Sequence, residues 1–212
     1  QEITIQKAAA FLKDTNRNTR ELVFNKMWEK RLQDKIAIDD LFDNLIVLRQ
    51  QIAKNAGFDN YRDYKFAEMG RVDYTPQDCA NFHDAIAKEI VPIIISSEKR
   101  RKEKLGYETY KAWDICVDVD GLTPLKPFNG QKELIDKSIK CLEQLNPYFG
   151  ECISTMKAMK HLDLESKKGK APGGFCAPLH ETGSSFIFMN AVGSQANLQT
   201  MIHEAGHAIH GF

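Results

Sequence analysis

Close to its C-terminal end the chain carries His203-Glu204-Ala205-Gly206-His207. On an α-helix, residues four apart share a face, so His203 and His207 point the same way about 6 Å apart along the axis. Two imidazoles placed like this reach a single ion of zinc's size at about 2.0–2.1 Å each. Glu204 lies about 100° further round the helix, where its carboxylate flanks the ion instead of ligating it. From that position it takes a proton from a water that the ion has acidified toward a pKa of about 7. The nucleophile so formed attacks a carbonyl such as that of a peptide bond. The ion stabilises the oxyanion, and Glu204 returns the proton to the leaving nitrogen.

Chance is a weak rival explanation. With six histidines and 14 glutamates in 212 residues, one such pentapeptide arises by accident with a probability on the order of one in a hundred. The motif also falls on a predicted helix, directly after a predicted strand. That strand, residues 185–191, is a candidate edge to which an extended peptide adds through main-chain hydrogen bonds, presenting its carbonyl to the metal. Its alternation puts Phe186, Phe188 and Asn190 on one face and Ile187 and Met189 on the other. Phe186, Phe188, Asn190 and Ala191 are the candidate substrate contacts, although the same pattern suits an ordinary core strand.

A catalytic zinc keeps three protein ligands and one open position, so the pair is incomplete. His210 shares the helical face but stands about 10 Å along the axis from His203. Three donors in a line on one helix cannot surround an ion tetrahedrally, so a polar contact or a capping role suits His210 better. The longer zinc motif, with a third histidine six residues after the second, needs glycine at position 210 and histidine at 213. Position 210 is histidine and the sequence ends at Phe212. His180 and Glu181 lie on a predicted loop before the strand, and Glu181 is the best candidate for a third ligand within the chain. His83 and His161 read as surface or boundary residues.

The elements that must position these groups are mainly helical. Ile38, Leu41, Leu45, Leu48, Ile52 and Ala56 recur at steps of three and four, predicting a helix with one buried face and Gly57 as its cap. Leu22, Val23, Met27 and Leu32 predict another before it. Thr75-Pro76-Gln77-Asp78 reads as a helix start. Cys79, Phe82, Ile86, Ile90 and Ile94 continue that stripe toward Leu105, with a kink expected at Pro92 and a stop at Gly106. Helical spacing resumes through Leu134, Ile135, Ile139, Leu142 and Leu145, and again from Pro147 to Met159. The alternation of Trp113, Ile115, Val117 and Val119 with three acids and a cysteine predicts a half-exposed strand. Residues 122–130 and 166–174 read as loops. Phe175 and residues 185–191 read as two short strands, and Gly193-Ser194 opens the final helix.

Composition narrows the partners. Lysine plus arginine equals aspartate plus glutamate at 29 each, so no net charge favours nucleic acid or an anionic membrane. The strongest apolar run, residues 90–95, is far short of the ~20 residues that span a bilayer, and the start has no signal-peptide pattern. Five scattered cysteines without CxxC spacing suggest reduced thiols in a cytoplasmic protein. The sequence opens on Gln1 and stops inside a predicted helix, which suggests a piece of a longer protein.

The motif helix, His203-Glu204-Ala205-Gly206-His207-Ala208-Ile209-His210, resembles that of the oligoendopeptidase F and thimet oligopeptidase family of zinc peptidases. Lys170-Ala171-Pro172-Gly173-Gly174-Phe175-Cys176 and Ser185-Phe186-Ile187-Phe188-Met189-Asn190 are similar to its proline-glycine loop and substrate-edge strand. Phe58-Asp59-Asn60-Tyr61-Arg62-Asp63-Tyr64 resembles an upstream stretch of the family. The basic segment Arg100-Arg101-Lys102-Glu103-Lys104-Leu105-Gly106, with Tyr110, Trp113 and Asp114 after it, fits as well. The likeness covers nearly the whole chain and is most specific at the motif helix.

The resemblance implies a mainly α, zincin-like metallopeptidase fold, with a small β-sheet ahead of the motif helix and a deep channel that admits short unfolded peptides. Residues 1–110 would then form part of the channel wall, and residues 111–212 the first part of the catalytic region, truncated after the motif helix. By matching position His203 and His207 ligate one Zn2+ and Glu204 is the catalytic acid/base. The family's third ligand, a glutamate on a later helix, falls beyond residue 212, so the isolated chain is expected to lack peptidase activity. Two other readings stand beside this one: a helical scaffold or interaction protein with an accidental motif, and a zinc hydrolase of non-peptide substrates. The oligomeric state and the cleavage preference are not encoded in any motif found.

Overall fold

The computed structural model describes residues 2–212. Among them the α-helices follow as α1 (Ile5–Ala10), α2 (Arg17–Leu32), α3 (Lys35–Asn55), α4 (Tyr61–Glu68), α5 (Pro76–Ala85), α6 (Val91–Leu105), α7 (Gly130–Leu145), α8 (Pro147–Ala158) and α9 (Gln195–His210). Strands β1 (Leu162–Glu165), β2 (Phe175–Leu179) and β3 (Ser184–Ala191) lie between α8 and α9. The mainly α architecture, with a small sheet ahead of the motif helix, is the one the sequence predicts. Two compact units divide the chain: Lys111–Phe212 with the residues up to Met27, and Trp28–Tyr110. No helix among the described residues is long and apolar enough to cross a membrane.

In the unit Trp28–Tyr110 the predicted punctuation is present. α3 ends before Gly57, whose φ of +83° only glycine adopts freely. Thr75 accepts the Asp78 N–H while the Asp78 carboxylate accepts the Thr75 N–H, a reciprocal cap on α5. The kink expected at Pro92 takes a specific form. Proline lacks the N–H that would bond four residues back and crowds that carbonyl, and the chain responds with a π-helical turn over Ile86–Ile90 before α6 begins.

The face predicted to be buried on α3 is exposed. Ile38, Leu41, Leu48 and Ile52 keep between 47% and 60% of their surface open, and on α3 only Ala53 is buried. Periodicity reports that a helix has an apolar face, not what covers it.

The other unit holds the core. Leu134, Ile135 and Leu142 of α7 and Ile153 and Met156 of α8 pack with Leu162 and Leu164 of β1, Ile187 and Met189 of β3, and Met201, Ala205 and Ala208 of α9. The sheet has the order β1-β3-β2, with β1 parallel and β2 antiparallel to β3. β1 was not foreseen, because four residues of Leu-Asp-Leu-Glu make too short a pattern to stand out.

The strand predicted over residues 113–120 is absent. Ala112–Asp114 forms a 3-10 turn instead, and the Asp118 carboxylate folds back to accept the N–H groups of Asp120 and Leu122. The reason is tertiary. Asp114, fully buried, takes hydrogen bonds from Arg17, Arg20 and the Lys111 N–H, and that network overrides a two-residue period.

Candidate metal centre

α9 is launched by a cap that fixes its register. The Ser194 hydroxyl accepts the Asn197 N–H, and the Asn197 side-chain oxygen accepts the N–H groups of Ser194 and Val192. Met201, Ala205 and Ala208 then lie on the buried stripe against β3 and α8. That rotation leaves His203 and His207 exposed and turns Glu204 inward, where 8% of its surface remains open.

The two imidazoles converge. Nε2 of His203 and Nε2 of His207 are 3.1 Å apart, with ring centroids 4.7 Å apart and planes at 89°. Two ligands of a tetrahedral zinc at about 2.0–2.1 Å would be separated by roughly 3.3 Å. The donor pair therefore fits two corners of such a site. Among the described residues no group of three or more histidine, cysteine, aspartate or glutamate side chains is arranged to hold a metal. Glu181 and His180 sit in the turn between β2 and β3 and do not join the pair.

Beside the pair lies a cavity of about 530 Å3, bordered by Glu204, His207 and His210 on one side and Cys176, Pro178 and Ser185 on the other. Burial pushes the Cys176 thiol above its usual range, and the nearby Glu204 carboxylate adds to this against a hydrogen bond from Ser185.

Not every predicted contact reaches this cavity. The edge expected at residues 185–191 is not free, because β3 is the central strand, paired on both sides. Its alternation is as predicted, but the face that meets α9 is that of Ile187 and Met189. Phe188 stacks on Phe175 at 4.9 Å and lies under the Lys170 ammonium, and Phe186 packs beside His161. The Asn190 amide donates to the carbonyls of Ala171 and Gly173, at 2.7 and 3.1 Å. Ala191 borders a separate cleft with Val192, Gly193 and Lys7. β2, like β1, is an outer strand of the sheet, and it is β2 that borders the cavity beside the histidine pair; sequence reasoning recognised it only at Phe175. The overlooked signal was Pro178, since a proline inside a strand pattern marks an edge.

The profile of peptidase family M3 matches residues 10–212. Oligopeptidase PepF of Bacillus subtilis is 23% identical over 220 residues, covering 100% of this chain and 30% of its own length. Group B oligopeptidase PepB of Streptococcus agalactiae is 27% identical over 124 residues, covering 57% of this chain and 19% of its own. The solved structure of PZ peptidase A with inhibitor 2 superimposes with a TM-score of 0.90 at 30% identity, over 99% of this chain and 37% of that one. The chain thus spans about a third or less of the length of the curated relatives it matches.

Proposed function

The chain belongs to peptidase family M3, and on that premise we propose that it carries the metal-binding and proton-transfer groups of a zinc-dependent oligopeptidase. His203 and His207 would hold the ion, their ring nitrogens already turned toward each other. A zinc ion bound there would supply a Lewis acid that polarises a carbonyl and acidifies water. Glu204 accepts the proton of the attacking water on its carboxylate and carries it to the leaving nitrogen. Its burial beside the cavity keeps that proton from exchanging freely with bulk solvent.

The free edge of β2 receives the peptide by strand addition, which fixes the main chain of a short unfolded substrate without demanding one side chain. The third ligand, a glutamate in the resembling family, comes from outside these 212 residues. The isolated chain therefore turns over no peptide.

The observation that carries this reading is the 3.1 Å approach of the two Nε2 atoms with a buried glutamate next to them. The test is Glu204→Gln in the protein encoded by the complete gene. Hydrolysis of a fluorogenic peptide should fall by about 10²–10⁴-fold while zinc content and melting temperature hold. Unchanged hydrolysis would remove Glu204 from the mechanism.

A further inference from the structure

Main-chain polarity in a strand alternates: the N–H and C=O of one residue point to one side, and those of the next residue to the other. On β3 the direction is known, because the Ile187 N–H donates to the His161 carbonyl at 2.9 Å, on the β1 side. Phe186, Phe188 and Ser184 therefore turn their polar groups to β2. Their antiparallel partners are Ala177, Phe175 and Leu179, so these three residues of β2 bond inward. Cys176 and Pro178 turn outward, to the free edge.

This edge is uneven. Cys176 offers a donor and an acceptor, whereas Pro178 offers a carbonyl and, having no N–H, nothing to donate. Both residues border the same cavity as Glu204 and His207, so the edge and the motif helix face one space. Pro178 is exposed and Cys176 half-buried, which leaves the edge open to an arriving chain.

We infer that Pro178 is a specificity-determining residue that limits how far a peptide is held along β2. This inference rests on the oligopeptidase reading and deepens it. When a peptide adds antiparallel to β2, its residue opposite Cys176 exchanges both main-chain hydrogen bonds with the protein. A residue opposite Pro178 donates one bond and receives none, so its own carbonyl goes unpaired. Extending a peptide past Cys176 toward Pro178 thus gains half of what a normal ladder step gives. The site favours short peptides at this end, and it discourages edge-to-edge pairing with another chain.

The experiment restores the missing donor. Pro178→Ala is made in the protein of the complete gene, with Pro178→Val as a second variant that returns the same N–H on a better strand former. Both are assayed on a ladder of fluorogenic peptides that grows by one residue at a time from either end. The expected result is a fall in KM of about three- to tenfold, confined to peptides long enough to reach position 178, with the change in KM and not in kcat. On the unaltered protein, a single N-methyl group moved along the peptide should raise KM at alternate residues only. A uniform change across all lengths, or none in either variant, overturns the role of Pro178 and leaves the peptidase reading standing. N-methyl sensitivity without alternation overturns strand addition to β2. No hydrolysis of any peptide by the unaltered protein overturns both this inference and the reading beneath it.

Discussion

Asp114 and Arg20 form an ion pair from which water is fully excluded: Nη2 and Oδ1 are 2.9 Å apart and neither side chain has exposed surface. The same carboxylate takes two further bonds from Arg17 and one from the Lys111 N–H. Arg20 donates to the carbonyls of Asp14, Thr15 and Trp113. A buried charge is tolerated only when its bonding capacity is met on every side, and here it is. The network fastens the start of α2 to the segment that leads into α7, within the unit that carries α9.

Removing one member should be costly. Asp114→Ala leaves two guanidinium groups facing each other, one of them fully buried, and should lower stability by about 3–5 kcal/mol in urea unfolding. Burial alone would raise the Asp114 carboxyl, but the hydrogen bonds from Arg17 and Arg20 outweigh it and hold it below its ordinary value. A depressed carboxyl stabilises the folded state above the unfolded value of about 3.9 and loses that contribution as the pH falls through the lower, folded value. Acid unfolding of the Ala variant should therefore show a weaker pH dependence below about pH 4. A stability loss under 1 kcal/mol would mean the pair is ornamental.

His203→Ala and His207→Ala, each in the protein of the complete gene, should abolish stoichiometric zinc. Loss of a direct ligand should exceed the 10–100-fold cost of disturbing an outer partner. Because both rings are exposed, unfolding of the zinc-free protein should shift by no more than about 0.5 kcal/mol. Elemental analysis finding one zinc per chain in either variant would exclude the pair as the metal site.

The raised Cys176 thiol has a pH signature. Burial and the Glu204 carboxylate disfavour its thiolate, so iodoacetamide should label Cys176 more slowly than the exposed Cys116 and Cys141 at pH 7. The difference should narrow as the pH climbs past the ordinary thiol value of about 8.5. Peptide mapping after timed alkylation reads this directly, and equal labelling at pH 7 would contradict it.

Asn190 acts on the loop before β2. Its Nδ2 must face the two carbonyls it bonds, since a flipped amide would set oxygen against oxygen. Asn190→Ala should release residues 171–173 and accelerate tryptic cleavage after Lys168 and Lys170 severalfold, at a stability cost of about 1–2 kcal/mol. An unchanged cleavage rate would show that the loop is held by other means.

Much of this was legible from residue order. The cap at Thr75, the stop at Gly106 and the face shared by His203 and His207 all follow from local rules, and each is found. What failed depended on distant neighbours. The alternation after Trp113 looks like a strand until Arg17 and Arg20 claim Asp114. The pattern of residues 185–191 separates Phe186, Phe188 and Asn190 from Ile187 and Met189 correctly but carries no information on whether one or both edges of β3 are paired. The stripe of α3 names an apolar face, and its covering cannot be read from one helix. β2 was half seen, because Cys176-Ala177-Pro178 lacks the β-branched residues that announce a strand.

The cap at Ser194 and Asn197 acts as the zero mark of a dial. His203 stands nine residues beyond Ser194, and every residue between them turns the dial by about 100°. Deleting any one of those residues would swing the imidazoles off the open flank and carry the carboxylate away from its neighbours, with no reactive group lost from the chain. The spacing between Ser194 and His203 therefore sets the directions of His203, Glu204 and His207 as firmly as their own side-chain geometry does.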